Sequence, residues 1–232
     1  MKNLPKHVAI IPDGNRRWAK KNGLAIMFGH EKGAEALEEI LNKTLELKIP
    51  YITFWGLSLD NVLKRSKPEI DYIYSIIEKQ FKKLLIDKRI HENKIKVQAF
   101  GRWMDFFPKK TQQAIKEVIE KTKDYDKYYL NFLMAYNGTD EMLESVKSIQ
   151  KQSKEVTEDL IKKNLWTKDL PSVDLIIRTG VDNDPHLSAG FMMWDAAYAQ
   201  LYFTKIYFPD FTPEEFEKSL LDFADRQRRK GA

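Results

Sequence analysis

Apolar runs rich in β-branched residues alternate along the chain with stretches whose apolar positions recur every three or four residues. The first pattern predicts buried strands and the second predicts amphipathic helices. His7–Pro12 reads as a strand, and Glu31–Lys48 as a helix carrying Ala34, Leu37, Leu41 and Leu45 at helical spacing. Tyr51–Leu57 reads as the second strand. Pro68–Lys88 reads as a long helix opened by a proline, with Ile73, Ile76, Ile77, Phe81, Leu84 and Leu85 as its apolar stripe. A strand at Lys94–Phe100, a helix at Lys109–Lys123 and a strand at Tyr129–Tyr136 follow. Next come helices at Asp140–Gln150 and Val156–Asn164, then a strand at Val173–Arg178. Leu201–Phe208 reads as the last strand and Pro213–Arg229 as a closing helix.

Strands separated by helices need crossover connections, which implies a mostly parallel sheet. The chain shows no internal repeat and no low-complexity segment. The stretch Gly180–Gly190, rich in Gly, Asp, Asn and Pro, reads as a loop and not as a domain linker. The expectation is α/β: one domain over 1–232, with a six-stranded sheet flanked by helices.

Composition narrows this picture. The 232 residues are 43% hydrophobic and 31% charged, enough for a large core under a soluble surface. No run reaches the roughly 18–20 apolar residues of a membrane span. The N-terminal stretch lacks a signal-peptide layout, because Pro and Asp interrupt its apolar run. A cytoplasmic address is the default expectation. The absence of cysteine excludes disulfides and thiolate metal sites. The net charge of +5 is modest, and its sharpest cluster is Arg226, Arg228, Arg229 and Lys230. That cluster suits either a helix end, where cations complement the dipole, or an anion site. No nucleic-acid motif appears, so no nucleic-acid partner is expected. Neither a Walker nor a dinucleotide glycine pattern is present, which argues against a nucleotide-binding protein.

The densest chemistry follows the first strand. In open parallel sheets ligands bind beyond the carboxyl ends of strands. There the chain runs Pro12-Asp13-Gly14-Asn15-Arg16-Arg17-Trp18. Glycine lets backbone approach a ligand, and the start of the following helix offers N–H groups to phosphate. Arg16 and Arg17 add charge-assisted donors. Phosphate would repel Asp13 unless a divalent cation lay between them, which points to Mg²⁺. The same aspartate also suits a helix N-cap, and the local pattern alone does not choose.

The segment His7–Ala19 closely resembles the opening motif of the cis-prenyltransferases, the family of undecaprenyl diphosphate synthase. Further blocks follow in the family's order. Phe28-Gly29-His30-Glu31-Lys32-Gly33 resembles the second motif, and Leu57-Ser58-Leu59-Asp60-Asn61 the third. Leu130-Asn131 through Tyr136-Asn137-Gly138 is similar to the fourth. Asp174–Thr179, Leu201–Thr204 and Phe208–Phe211 are similar to the fifth, and the ending Phe223–Gly231 is also similar. The resemblance spans nearly the whole chain.

It implies a homodimeric α/β enzyme that holds a growing prenyl chain in a hydrophobic tunnel, one wall of which is the helix Pro68–Lys88. The family lacks the DDxxD motif of trans-prenyltransferases, and this chain has no adjacent Asp pair. By resemblance, Asp13 is the central catalytic acid, acting through Mg²⁺. Gly14, Asn15, Arg16, Arg17 and Trp18 then bind the allylic diphosphate. His30 contacts that phosphate or relays a proton, and Ser58 and Asn61 lie near the reacting carbons. Arg178 and Ser188 bind the diphosphate of isopentenyl diphosphate. Read alone, His30 suits a hydrogen-bonded turn, Ser58 and Asn61 suit caps, and Arg178 suits a structural ion pair.

The departures from the family pattern concern mostly the acceptor half. Ile26 stands where an arginine is usual, and Val62 where an aromatic is usual. The downstream arginine corresponds to Lys64 or Arg65. The segment Gly180–Phe191 is longer than the family's and places His186 at an acceptor-binding arginine's position. Asp182 or Asp184 replaces a missing glutamate. Gln200 stands where the family has a metal-binding glutamate. Glutamine and neutral histidine are weaker partners for Mg²⁺ and diphosphate than glutamate and arginine. The pattern therefore admits an altered acceptor: head-to-middle condensation with dimethylallyl diphosphate, or O-prenylation of an alcohol. A non-catalytic subunit is a further alternative, opposed by the intact Asp13–Arg17 stretch. A greasy product also suits peripheral membrane contact, although no amphipathic anchor stands out.

Overall fold

The structure, a computed structural model, describes residues 3–152 and 155–226. Six strands form a single sheet in the order β3-β4-β2-β1-β5-β6, and every neighbouring pair is parallel. They are β1 His7–Ile11, β2 Tyr51–Leu57, β3 Ile95–Phe100, β4 Tyr128–Met134, β5 Leu175–Arg178 and β6 Gln200–Phe203.

The continuous apolar run of β1 follows from its position, because a central parallel strand is covered on both faces. All five of its residues are buried. Side chains alternate across a strand. Val8 and Ile10 join the larger core, beneath α2 (Ile26–Glu46), α4 (Lys67–Ile86), α7 (Lys109–Thr122) and α10 (Pro213–Asp225). Ala9 and Ile11 join the smaller core of the opposite face, with Trp55, Tyr136 and Phe191.

The short helix α1 (Asn15–Lys21) lies directly beyond β1 and packs on α2. Helix α2 begins at Ile26, five residues before the expected Glu31. Its first turns carry two glycines, Gly29 and Gly33. In the fold they face α1 at close range. A Cβ on Gly29 would lie 2.1 Å from the Asn15 carbonyl oxygen, and one on Gly33 would lie 2.4 Å from Asn15 Oδ1. Glycine there permits the contact between the helices, and the gain offsets its low helix propensity.

The long fourth helix ends at Ile86. Asp87 then turns the chain and caps α5 (Lys88–Glu92) by accepting from the Arg89 N–H. The last strand is shorter than the expected Leu201–Phe208. After Phe203 the chain leaves the sheet, with Thr204 and Ile206 carbonyls accepting from Val181 and Gly180 N–H. Residues Phe208–Asp210 form a 3-10 turn whose first N–H donates to the Asp13 carbonyl. The closing helix is described to Asp225, and the expected Arg228, Arg229 and Lys230 lie outside the described residues. Among the described residues, no helix is long and apolar enough to cross a membrane.

Candidate active site

The register brings Ile11 of β1 beside Arg178 of β5, so the residues after both strands meet at one end of the sheet. Gly14 makes the turn from β1 into α1 with φ +103°. Its N–H donates to Asp13 Oδ1 at 2.6 Å, and no side chain caps α1. Asp13 is therefore not the helix cap that its position in sequence allowed. Its carboxylate instead bridges two arginines: Arg17 Nη2 lies 3.1 Å from Oδ1, and Arg178 Nη2 lies 3.1 Å from Oδ2. Thr179 fixes the backbone, its Oγ1 accepting from the Asp13 N–H at 3.0 Å.

Arg178 is buried and extends this network. Its Nη1 donates to Ser188 Oγ at 3.1 Å and to the His186 carbonyl at 2.5 Å. The expected acceptor group, Arg178 with Ser188, is thus assembled against Asp13. His186 contributes mainly through its backbone. Its exposed ring lies 3.1 Å from Asp184 and 3.1 Å from Ser188 Oγ.

A second cluster sits beside the first. Glu69, on the first turn of α4, is buried, and its Oε1 lies 3.2 Å from Arg65 Nη1, 3.1 Å from His30 Nε2 and 3.7 Å from Arg16 Nε. Burial lowers the pKa of His30, opposed by the hydrogen bond to Glu69. Burial also lowers the pKa of Arg65, against the pull of Glu69. Arg65 is the downstream arginine of the third motif; Lys64 points into solvent and pairs with Asp60. Arg65 Nη2 donates to Asn61 Oδ1 at 2.8 Å, and Ser58 Oγ accepts from the Asn61 N–H at 3.0 Å as cap of α3 (Leu59–Lys64). Ser58 therefore caps α3 while the Asn61 side chain pairs with Arg65, and both residues line the first of the two cavities described next.

Sequence reading missed Glu69. The available signal was an acid on the otherwise apolar face of an amphipathic helix, four residues after an arginine.

Two cavities meet at Asp13. One, of about 330 Å³, runs between α2 and α4, with Leu37, Leu41, Ile73, Ile77, Phe81 and Leu84 on its walls. The other, of about 750 Å³, is lined by Gly14, Arg16, Arg17, Lys20, Leu24 and Ile26. Pro12, Asp13, Asn15, His30 and Arg65 line both. Asn15 Oδ1 is buried there without a hydrogen-bond partner among the described residues.

Two expected residues stand elsewhere. Trp18 lines neither cavity, and its indole N–H donates to Asp210 Oδ1 at 2.7 Å, tying α1 to the turn after β6. Gln200 pairs in register with Leu175, three residues before the Arg178–Phe203 rung. Within one chain it therefore lies toward the opposite end of the sheet from Asp13. Its Oε1 is buried without a partner among the described residues.

The metal that the family resemblance implies is Mg²⁺. That ion favours one or two carboxylates with substrate phosphates and water completing its shell. Among the described residues, no three His, Asp or Glu side chains converge as an all-protein site. Asp13 supplies one half-exposed carboxylate where the cavities meet, which fits an ion bound jointly with diphosphate.

A parallel α/β sheet with an acid, four arginines and an apolar tunnel at its carboxyl end defines an enzyme for a charged head on a greasy tail. Comparison with known proteins gives the family. Residues 11–231 match the family model described as "Putative undecaprenyl diphosphate synthase". The chain is 38% identical to tritrans,polycis-undecaprenyl-diphosphate synthase (geranylgeranyl-diphosphate specific) of Pyrococcus horikoshii, over 98% of this chain and 87% of that one. It is 39% identical to the protein of the same description from Methanocaldococcus jannaschii, over 99% and 83%. Among solved structures, lavandulyl diphosphate synthase from Lavandula x intermedia in complex with dimethylallyl diphosphate superposes with a TM-score of 0.90. That protein is 28% identical, with 99% of each chain covered. A probable undecaprenyl diphosphate synthase from Campylobacter jejuni gives 0.80 at 29% identity, with both chains fully covered. The chain belongs to the undecaprenyl diphosphate synthase family, the cis-prenyltransferases. It is a prenyltransferase of a family that is generally Mg²⁺-dependent.

Proposed function

We propose that this chain transfers the prenyl group of an allylic diphosphate to isopentenyl diphosphate and releases diphosphate, with Asp13 at the centre of the site. The observation that carries the reading is the position of Asp13. It lies where an apolar tunnel meets a basic basin, with Arg17 on one carboxylate oxygen and Arg178 on the other.

Each part answers one requirement of the reaction. The prenyl tail lies in the tunnel, whose aliphatic walls keep water from the developing allylic cation. Arg16, Arg17 and the uncapped N–H groups of α1 neutralise the leaving diphosphate. Arg178 and Ser188 hold the acceptor's diphosphate, which sets its alkene against the donor carbon. Arg65 orients the Asn61 side chain near the reacting carbons, and Glu69 orients Arg65 and His30. Asp13 is the residue that would hold Mg²⁺, which when bound would supply further charge neutralisation at the leaving group.

A homodimer belongs to the same reading. Its support is the edge position of β6, flanked by exposed Met193, Tyr198, Leu201 and Leu221. One observation favours an altered acceptor as second reading: at the position of the family's acceptor-binding arginine, the exposed His186 pairs with Asp184.

The test uses labelled allylic diphosphates of two to four isoprene units, supplied alone, with isopentenyl diphosphate, with dimethylallyl diphosphate and with an alcohol. Efficient, exclusive incorporation of isopentenyl diphosphate is expected. Asp13→Ala should lose about a hundredfold or more of that turnover. Full activity in that variant would remove Asp13 from the chemistry, and preferred use of another acceptor would select the second reading.

A further inference from the structure

The tunnel does not end in hydrocarbon. Beyond Phe81 and Leu84 its lining turns to Glu38, Lys83, Asp87 and Arg89. These four charges form one latch between α2 and the end of α4. Arg89 Nη2 lies 2.7 Å from Glu38 Oε1, and its Nη1 donates to Asn42 Oδ1 at 2.6 Å. Its Nε donates to Asp87 Oδ1 at 3.0 Å. Lys83 Nζ closes the set at 2.5 Å from Glu38 Oε2. The side chains of Glu38, Arg89 and Lys83 remain 30%, 38% and 53% exposed, so the latch borders both the tunnel and water.

Resting on the prenyl-transfer reading, we infer that this latch is the distal gate of the tunnel and sets how long a prenyl chain the closed protein holds. The distances give the length. His30 to Glu38 on α2 spans about 12 Å, and Glu69 to Lys83 on α4 about 21 Å, at about 1.5 Å per helical residue. An extended isoprene unit advances about 5 Å, from four carbon–carbon bonds of about 1.5 Å each. The closed tunnel therefore takes about two to four units, and a longer chain must part the charges. Half-exposed ion pairs are individually weak, so water can take over each charge as the latch opens. An apolar tail gains by covering Leu37, Phe81 and Leu84, and gains nothing by pressing on paired charges.

The experiment measures binding of allylic diphosphates of two to six isoprene units to the full chain without acceptor, by calorimetry. In the native protein, affinity should rise at least about tenfold per unit to four units, then stay flat or fall. Arg89→Ala and, separately, Glu38→Gln should extend the rise to the fifth and sixth units. Salt near 1 M, which shortens the screening length to about 3 Å, should do the same in the unmodified protein. That arm holds even if a variant fails to fold. With isopentenyl diphosphate added, the variants should release longer products than the native protein. Identical length dependence in native protein, variants and high salt would overturn the gate while leaving prenyl transfer standing. No binding at any length would overturn both.

Discussion

Replacing Gly14 with alanine tests how the catalytic turn is built. Gly14 has φ +103°, a conformation that L residues rarely adopt, and an added Cβ would lie 2.6 Å from Tyr207 Cδ1, 3.0 Å from its Cβ and 3.1 Å from its Cα. The two costs are separable. Holding alanine at positive φ costs about 1–2 kcal/mol. Forcing a methyl against a packed ring and its backbone costs about 1–3 kcal/mol more. The sum, about 2–5 kcal/mol, should lower the melting temperature by about 2–4 °C per kcal/mol in a chain of this size. A double-mutant cycle with Tyr207→Ala isolates the contact with the ring, since that change removes Cδ1 but keeps the Tyr207 Cβ, its backbone and the strain at Gly14. Urea denaturation of the four proteins should give a coupling of about 1–3 kcal/mol, with Gly14→Ala still destabilising in the Tyr207→Ala background. Tyr207 also stacks on Arg17, whose guanidinium lies 5.3 Å from the ring centre, so diphosphate binding should weaken in either single variant. A Gly14→Ala protein as stable as the native one would refute the turn geometry. A coupling near zero would refute the contact with Tyr207.

Two further outcomes are expected. His7 is fully buried between the Pro171 carbonyl and Thr53 Oγ1, and burial lowers its pKa from 6.5 to about 4. Its contribution is therefore complete above pH 6.5 and is lost as pH falls toward 4, worth about 3 kcal/mol in all; denaturation of a His7→Gln variant should lack that segment of the pH dependence, and an unchanged profile would exclude His7 as its source. Glu69→Gln leaves Arg65 and Arg16 without their buried countercharge, so stability should fall by about 3–5 kcal/mol, and the His30 pKa, followed by NMR, should drop further; a His30 titration that did not move would break the proposed pairing.

Much of the architecture was legible in the chain, for reasons that residue patterns carry. The run His7–Ile11 is apolar throughout because a central parallel strand needs apolar residues on both faces. The stripe of α4 marks a face it buries at Ile73, Ile77 and Phe81, whereas of the stripe read on α2 only Leu41 is buried. The acid, glycine and arginines after β1 could be read together because they fall in one turn, and the fold pairs Asp13 with Arg17 there.

Tertiary structure decided the rest, wherever the partner is distant in sequence. The close approach of α1 to Gly29 and Gly33 is set by packing between the two helices. Trp18 sat inside the motif, yet a hydrogen bond to Asp210, far along the chain, turns it away from the cavities. Gln200 was placed by analogy near a metal, and the parallel register sets it toward the other end of the sheet. Glu69 drew no notice in sequence, and the fold gathers His30, Arg65 and Arg16 around it. Periodicity states which face of an element is buried, because that depends on neighbours a few residues away. Which charge meets which depends on how elements pack, and only the folded chain supplies that distance.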